Sequence, residues 1–200
     1  MNLIVESNHV WKFLELIKKR ENYYSQNNLI DINKIITPTK AQKNVIFRKF
    51  HNGFNVCNDL VRRQSGLSLS IIVKALYLSN FKRIKIAIIK ASFSQIEYLY
   101  RKLIDILNRL NYEYDCSNSI GKIKVTLKNG SEIYFLNCGR IEFSNGSSIE
   151  SFNFRGYRFD YIFIDDVSPY CDLDKLKKYF MPLIYNQNVG QVIAFIKRGM

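Results

Sequence analysis

Two hundred residues suit one domain, or one domain with a small appendage, and an apolar share of 47% is enough for a sizeable core. The net charge of +13 points to a polyanionic partner such as DNA, RNA or nucleotide phosphates; the competing source is the Lys-, Ile- and Asn-rich usage of an A/T-biased genome. No run of roughly 18 apolar residues exists, which argues against a transmembrane helix, and Met1 to Glu15 lacks a secretory signal. Cys57, Cys116, Cys138 and Cys171 show no Cys-x-x-Cys spacing and the only histidines are His9 and His51, which argues against zinc. The expected setting is a reducing cell interior with free thiols.

In chain order, Asn8 to Lys19 has helical apolar spacing at Val10, Phe13, Leu14 and Ile17, and Glu21 to Asn33 reads as a polar connector. Thr39 to Phe50 is a second helix with Gln42 early in it. Gly53 opens a strand over Phe54 to Val61. A short turn, Arg62-Arg63-Gln64-Ser65-Gly66-Leu67-Ser68, leads to a helix over Ser70 to Phe81. Strand, glycine turn and helix opening with serine is the layout of a phosphate-binding loop, where backbone N–H groups face the anion. Gly66 stands at the second glycine of that pattern and Ser68 at the Mg²⁺-ligating hydroxyl. Val61 stands where the first glycine is expected, and Leu67 where the phosphate lysine is expected.

Ile84 to Ile89 is a second buried strand ending at Lys90, and Gln95 to Leu110 a helix started by Ser92 or Ser94. This alternation implies right-handed parallel crossovers. From Gly121 to Phe154 the pattern changes to alternating apolar and polar residues with turns at Asn129-Gly130 and Asn145-Gly146, which predicts antiparallel strands. Tyr161 to Ile164 is an unbroken apolar run followed by Asp165 and Asp166. A strand buried on both faces that delivers two carboxylates to its C-terminal end puts them where open α/β sheets bind ligands. The plainer alternative is a solvated Asp-Asp turn. Asp172 to Phe180 is a short basic helix, and its Lys175, Lys177 and Lys178 read first as a solvated face. Gln191 to Ile196 is the last strand.

Gln42 on its helix, the Arg63-Gln64-Ser65-Gly66-Leu67-Ser68 turn, Asn145-Gly146-Ser147-Ser148-Ile149, Arg155-Gly156 and the Ile164-Asp165-Asp166 strand end follow one another in an order that resembles the N-terminal ATPase domain of the large terminase subunit, the DNA-packaging motor of tailed bacteriophages. The resemblance implies an α/β fold: a P-loop NTPase-like three-layer sandwich with a mainly parallel sheet and an appended antiparallel hairpin region. Residues 1–35 would be an N-terminal helix and connector, and residues 36–200 the ATPase core, which stops short of the remainder of that domain and of a nuclease domain. The cofactors implied are ATP and Mg²⁺. Gln42 would meet adenine; Arg63, Gln64, Ser65, Gly66, Leu67 and Ser68 would surround the triphosphate; Ser68 and Asp165 would hold the metal; Asp166 would stand at the catalytic glutamate position. The partners implied are double-stranded DNA, a portal or other packaging proteins, and a separate chain supplying the missing C-terminal half, in host cytoplasm with no membrane.

The departures all weaken catalysis. Leu67 removes a charge-assisted phosphate contact of about 1.5–3 kcal/mol. Asp166 is one methylene short of a glutamate, and a water-positioning base tolerates little misplacement. Arg62, Arg63 or Lys90 would supply the missing charge, with Arg63 best placed along the chain. The expectation is an ATPase with weakened or lost hydrolysis, or else a non-catalytic nucleotide-, DNA- or partner-binding protein that keeps the fold. A metal nuclease is a third reading; it needs Glu142, Glu150, Asp160 or Asp172 to converge on Asp165 and Asp166. The terminase reading requires Gly66 and the two acids to flank one triphosphate cleft from neighbouring parallel strands.

Overall fold

The computed structural model describes residues 29–57, 66–90, 92–119, 122–138, 156–168, 171–186 and 189–196. The N-terminal helix expected over Asn8 to Lys19, Arg63 to Ser65 of the turn, and the Ile141 to Phe152 strands lie outside them. In chain order the elements are α1 (Ile32–Ile35), α2 (Lys40–Phe47), β1 (Gly53–Cys57), α3 (Leu67–Ser79), β2 (Lys85–Lys90), α4 (Phe93–Arg109), β3 (Tyr114–Ser119), β4 (Lys122–Leu127), β5 (Glu132–Asn137), β6 (Tyr161–Val167), α5 (Leu173–Phe180) with a 3₁₀ turn at Met181–Leu183, and β7 (Gln191–Ile196).

The seven strands form one sheet in the order β1-β7-β6-β2-β5-β4-β3. The five strands from β1 to β5 along this order are parallel; β5–β4 and β4–β3 are antiparallel. The central strands are apolar on both faces, and the alternation of their side chains explains why. Ile86 and Ile88 of β2, Phe163 of β6, and Ile193 and Phe195 of β7 join a core with α3 and α4. Their neighbours Ala87, Ile89, Ile162, Ile164, Val192 and Ala194 join a second core with Leu176 and Phe180 of α5. Two cores, one on each face, make three layers. This is the α/β architecture that the sequence predicts, with its mainly parallel sheet and attached hairpin.

Asn129-Gly130 turns the β4–β5 hairpin as expected: Gly130 has φ +79° and donates its N–H to the Leu127 carbonyl at 2.7 Å. The Asn129 amide also donates to the Ser79 carbonyl at 2.6 Å, tying the turn to the end of α3. β5 belongs to both parts, antiparallel to β4 and parallel to β2.

The first strand is described as far as Cys57, and the rest of its expected span, to Val61, lies outside the described residues. Two expectations change. The following helix starts at Leu67 and is capped by Gly66 rather than opening at Ser70. Tyr114–Ser119 is a strand, paired to β4 at the sheet edge. No helix among the described residues is long and apolar enough to cross a membrane, and Cys57, Cys116, Cys138 and Cys171 are not joined in disulfides.

Candidate functional site

The Gly66 turn and the acidic strand end meet. Ser68, in the first turn of α3, donates its hydroxyl to Asp165 Oδ2 at 2.8 Å, across 97 positions of chain. They do so although β1 and β6 are not neighbours: the expected adjacency of strands fails, and only the expected closeness of the turn and the acids holds. β7 lies between β1 and β6, pairing Ala194 with Val56 on one side and Ile164 on the other. Two strand spacings separate β1 from β6 by about 10 Å, and the contact places the first turn of α3 beside the C-terminal end of β6.

Gly66 makes that start possible. It caps α3 with φ +74°, in the left-handed region that a Cβ disfavours. A Cβ there would also lie 2.3 Å from Gln42 Nε2. Gly66 makes no side-chain cap to the helix; its carbonyl accepts from the N–H and the hydroxyl of Ser70, both at 2.9 Å. A 13-residue helix presenting its first N–H groups at a parallel-sheet edge is suited to an anion.

Gln42 is held directly behind this turn. Thr39 caps α2 and Gln42 closes a capping box: the Thr39 N–H donates to Gln42 Oε1 at 2.9 Å, and the Gln42 N–H to Thr39 Oγ1 at 3.3 Å. The side chain is buried and its Nε2 abuts Gly66. The Thr-x-x-Gln spacing is a capping signal readable in the sequence beside the adenine-reading one.

Asp165 and Asp166 occupy a β-bulge. Ile164 pairs with Ala194 and Val167 with Ile196, so two residues of β6 stand opposite Phe195 alone. Asp166 takes the left-handed conformation, φ +69°, and is half-buried; aspartate is among the few residues that tolerate it. Asp165 is 4% exposed. Its Oδ2 also accepts from Lys90 Nζ at 2.9 Å. Lys90 ends β2, the strand beside β6, and is 7% exposed. Sequence reasoning ranked Arg63 above it; the parallel register, in which Ile89 faces Ile164, brings the next residue of each strand together. Breaking such a buried pair by removing one partner costs about 3–5 kcal/mol.

Leu67 is half-buried and packs on the core shared by α3 and the sheet. Arg63, Gln64 and Ser65 lie outside the described residues. Asp160 is not at this edge. Asp160 precedes β6 at its opposite end, accepting from the Lys85 N–H at 2.8 Å, and Asp172 caps α5. Glu142 and Glu150 are outside the described residues, and among those described no group of three or more His, Cys, Asp or Glu is placed to hold a metal. The nuclease reading thus lacks its carboxylate cluster there. A serine hydroxyl and a carboxylate within hydrogen-bond distance do suit Mg²⁺, a hard cation that takes one or two protein oxygens and completes its shell with water and phosphate.

No protein-family model matches the sequence, and no curated protein sequence matches it. Among solved structures, the large terminase ATPase domain of Thermus phage P74-26 is similar at 16% identity with a TM-score of 0.54, over 82% of this chain and 66% of that one. The HK97 bacteriophage large terminase is similar at 12% identity with a TM-score of 0.51, over 80% of this chain and 33% of that one. This chain therefore spans less than two thirds of either. With the strand order and both cores in place, the chain has the fold of the ATPase domain of phage large terminases.

Proposed function

We propose that this protein binds a nucleoside triphosphate, ATP, between the N-terminus of α3 and the ends of β6 and β2, as a terminase-type ATPase domain whose hydrolysis is weakened or lost. The observation that carries the reading is the Ser68–Asp165 hydrogen bond, because it unites the helix start and the acidic strand end across 97 positions of chain.

In this reading the Leu67, Ser68 and Leu69 N–H groups face phosphate, Gln42 lies on the adenine side, and Arg63, Gln64 and Ser65 complete the loop. Ser68 and Asp165 would hold Mg²⁺, which neutralises charge on the phosphates. Asp166 would orient the attacking water from its bulge. Leu67 offers no ammonium to the charge that develops during phosphoryl transfer. The partners proposed are double-stranded DNA and a portal; the +13 charge supports a polyanion.

Purified protein is expected to bind ATP weakly, with slow or no turnover whether or not DNA is present, and Leu67→Lys to raise turnover at least tenfold. Residual wild-type turnover would vanish in Arg63→Ala. Failure of both wild type and Leu67→Lys to bind any nucleotide would end the reading. The Lys90–Asp165 ion pair favours a second reading, a non-catalytic protein, since it sets a cation on the oxygen that the metal would approach. Under that reading Leu67→Lys binds ATP and still does not hydrolyse it.

A further inference from the structure

Two lysines are buried among the described residues, Lys74 and Lys90. Lys74 is committed to α2, donating to the Ile46 carbonyl at 3.2 Å and the Arg48 carbonyl at 2.9 Å. Lys90 reaches the sheet edge where the phosphates would lie. It shares Asp165 Oδ2 with the Ser68 hydroxyl, so its ammonium is no further from that hydroxyl than two hydrogen bonds end to end. An ammonium has three donors on a flexible four-carbon stem, and the contact with Oδ2 uses one.

We propose that Lys90 is the phosphate-holding lysine of this site, moved from the helix start to the end of the neighbouring strand β2, with Asp165 holding it in place until phosphate arrives. The inference rests on the triphosphate reading above. Position 67 is filled by a leucine whose side chain packs on the core, so no cation projects from there. A polyphosphate at the α3 N-terminus would stand beside the buried Asp165 carboxylate, and two anions so close repel strongly at low dielectric. A cation between them removes that repulsion, and Lys90 is already on the carboxylate. The arrangement also differs in consequence from a lysine at position 67. Asp165 and phosphate compete for one ammonium, so the carboxylate restrains binding whenever metal is absent.

That competition gives the test. ADP binding by the full chain is measured calorimetrically in EDTA, which takes the metal out of the comparison. Asp165→Asn releases the lysine and is expected to bind ADP roughly tenfold more tightly than wild type. Lys90→Met/Asp165→Asn, which leaves no buried orphan charge and so protects folding, is expected to lose roughly ten- to a hundredfold relative to Asp165→Asn. Adding Leu67→Lys to that pair restores the lost affinity. Equal affinity of Asp165→Asn and Lys90→Met/Asp165→Asn overturns the role of Lys90 while leaving the triphosphate reading standing. Absence of ADP binding in wild type, Asp165→Asn and the Leu67→Lys variant alike overturns both.

Discussion

At the scale of single residues, two left-handed backbones bracket the site, Gly66 at φ +74° and Asp166 at φ +69°. They are not equivalent. Gly66 is required twice over, by its dihedral and by Gln42 Nε2 pressed against it. Gly66→Ala adds a left-handed cost of about 1–2 kcal/mol and forces the Gln42 amide aside, breaking its bond from the Thr39 N–H, worth roughly 0.5–1.5 kcal/mol more. We expect urea denaturation to show a loss of about 2–3 kcal/mol from these two sources. In a Gln42→Ala background the penalty for Gly66→Ala should shrink toward the dihedral cost alone. An unchanged penalty in that background would show that the two residues are not coupled. Asp166, by contrast, is a carboxylate in a conformation that glycine adopts more easily and that aspartate tolerates.

At the scale of elements, the site depends on where α3 sits, and Lys74 fixes α3 to α2. Its ammonium satisfies two carbonyls left open at the C-terminal end of α2 and lies 5.1 Å from the centre of the Phe50 ring. Burial lowers its pKa from 10.5 to about 8, with Cys57 acting weakly in the other direction. The folded protein therefore releases this proton before the unfolded chain does. Below pH 8 both states carry it and the folded state bears the full desolvation cost; between pH 8 and about 10.5 the unfolded chain binds more protons, so stability rises with pH. From pH 7 to 9.5 the gain from Lys74 is about 2 kcal/mol. Lys74→Met lacks it. The difference in unfolding free energy between wild type and Lys74→Met should move in favour of wild type by that amount across this range. Parallel pH profiles for the two proteins would refute the assignment and leave the tyrosines and thiols to explain any common slope.

At the scale of the whole molecule, what was legible in the sequence was local. β2, β6 and β7 are apolar runs because both faces are covered, and Asn129-Gly130 announces its own turn. β3 was missed because Tyr114–Ser119 reads Tyr-Asp-Cys-Ser-Asn-Ser, mostly exposed residues that become a strand only by pairing with β4. The order of strands was misjudged for a related reason: β7 is the last element described, and its insertion between β1 and β6 is a contact between distant segments that no window of sequence carries. The Lys90–Asp165 pair is of the same kind, set by the register of two strands 75 positions apart at Lys85 and Asp160. Insertion of β7 has a physical consequence. Because α3 starts beside Asp165 and β7 is paired to β6 on one side and β1 on the other, a ligand at that edge braces three separate segments at once. Local opening there should then be suppressed as one unit. Hydrogen exchange with saturating ADP is expected to slow together at Leu67 to Leu69, at Ile164 to Val167 and at the end of β7, with Tyr114 to Leu127 unchanged because β3 and β4 lie beyond β2 and β5. Protection of the α3 start without the β6 end would mean that phosphate is held by the helix alone and that the acidic strand takes no part.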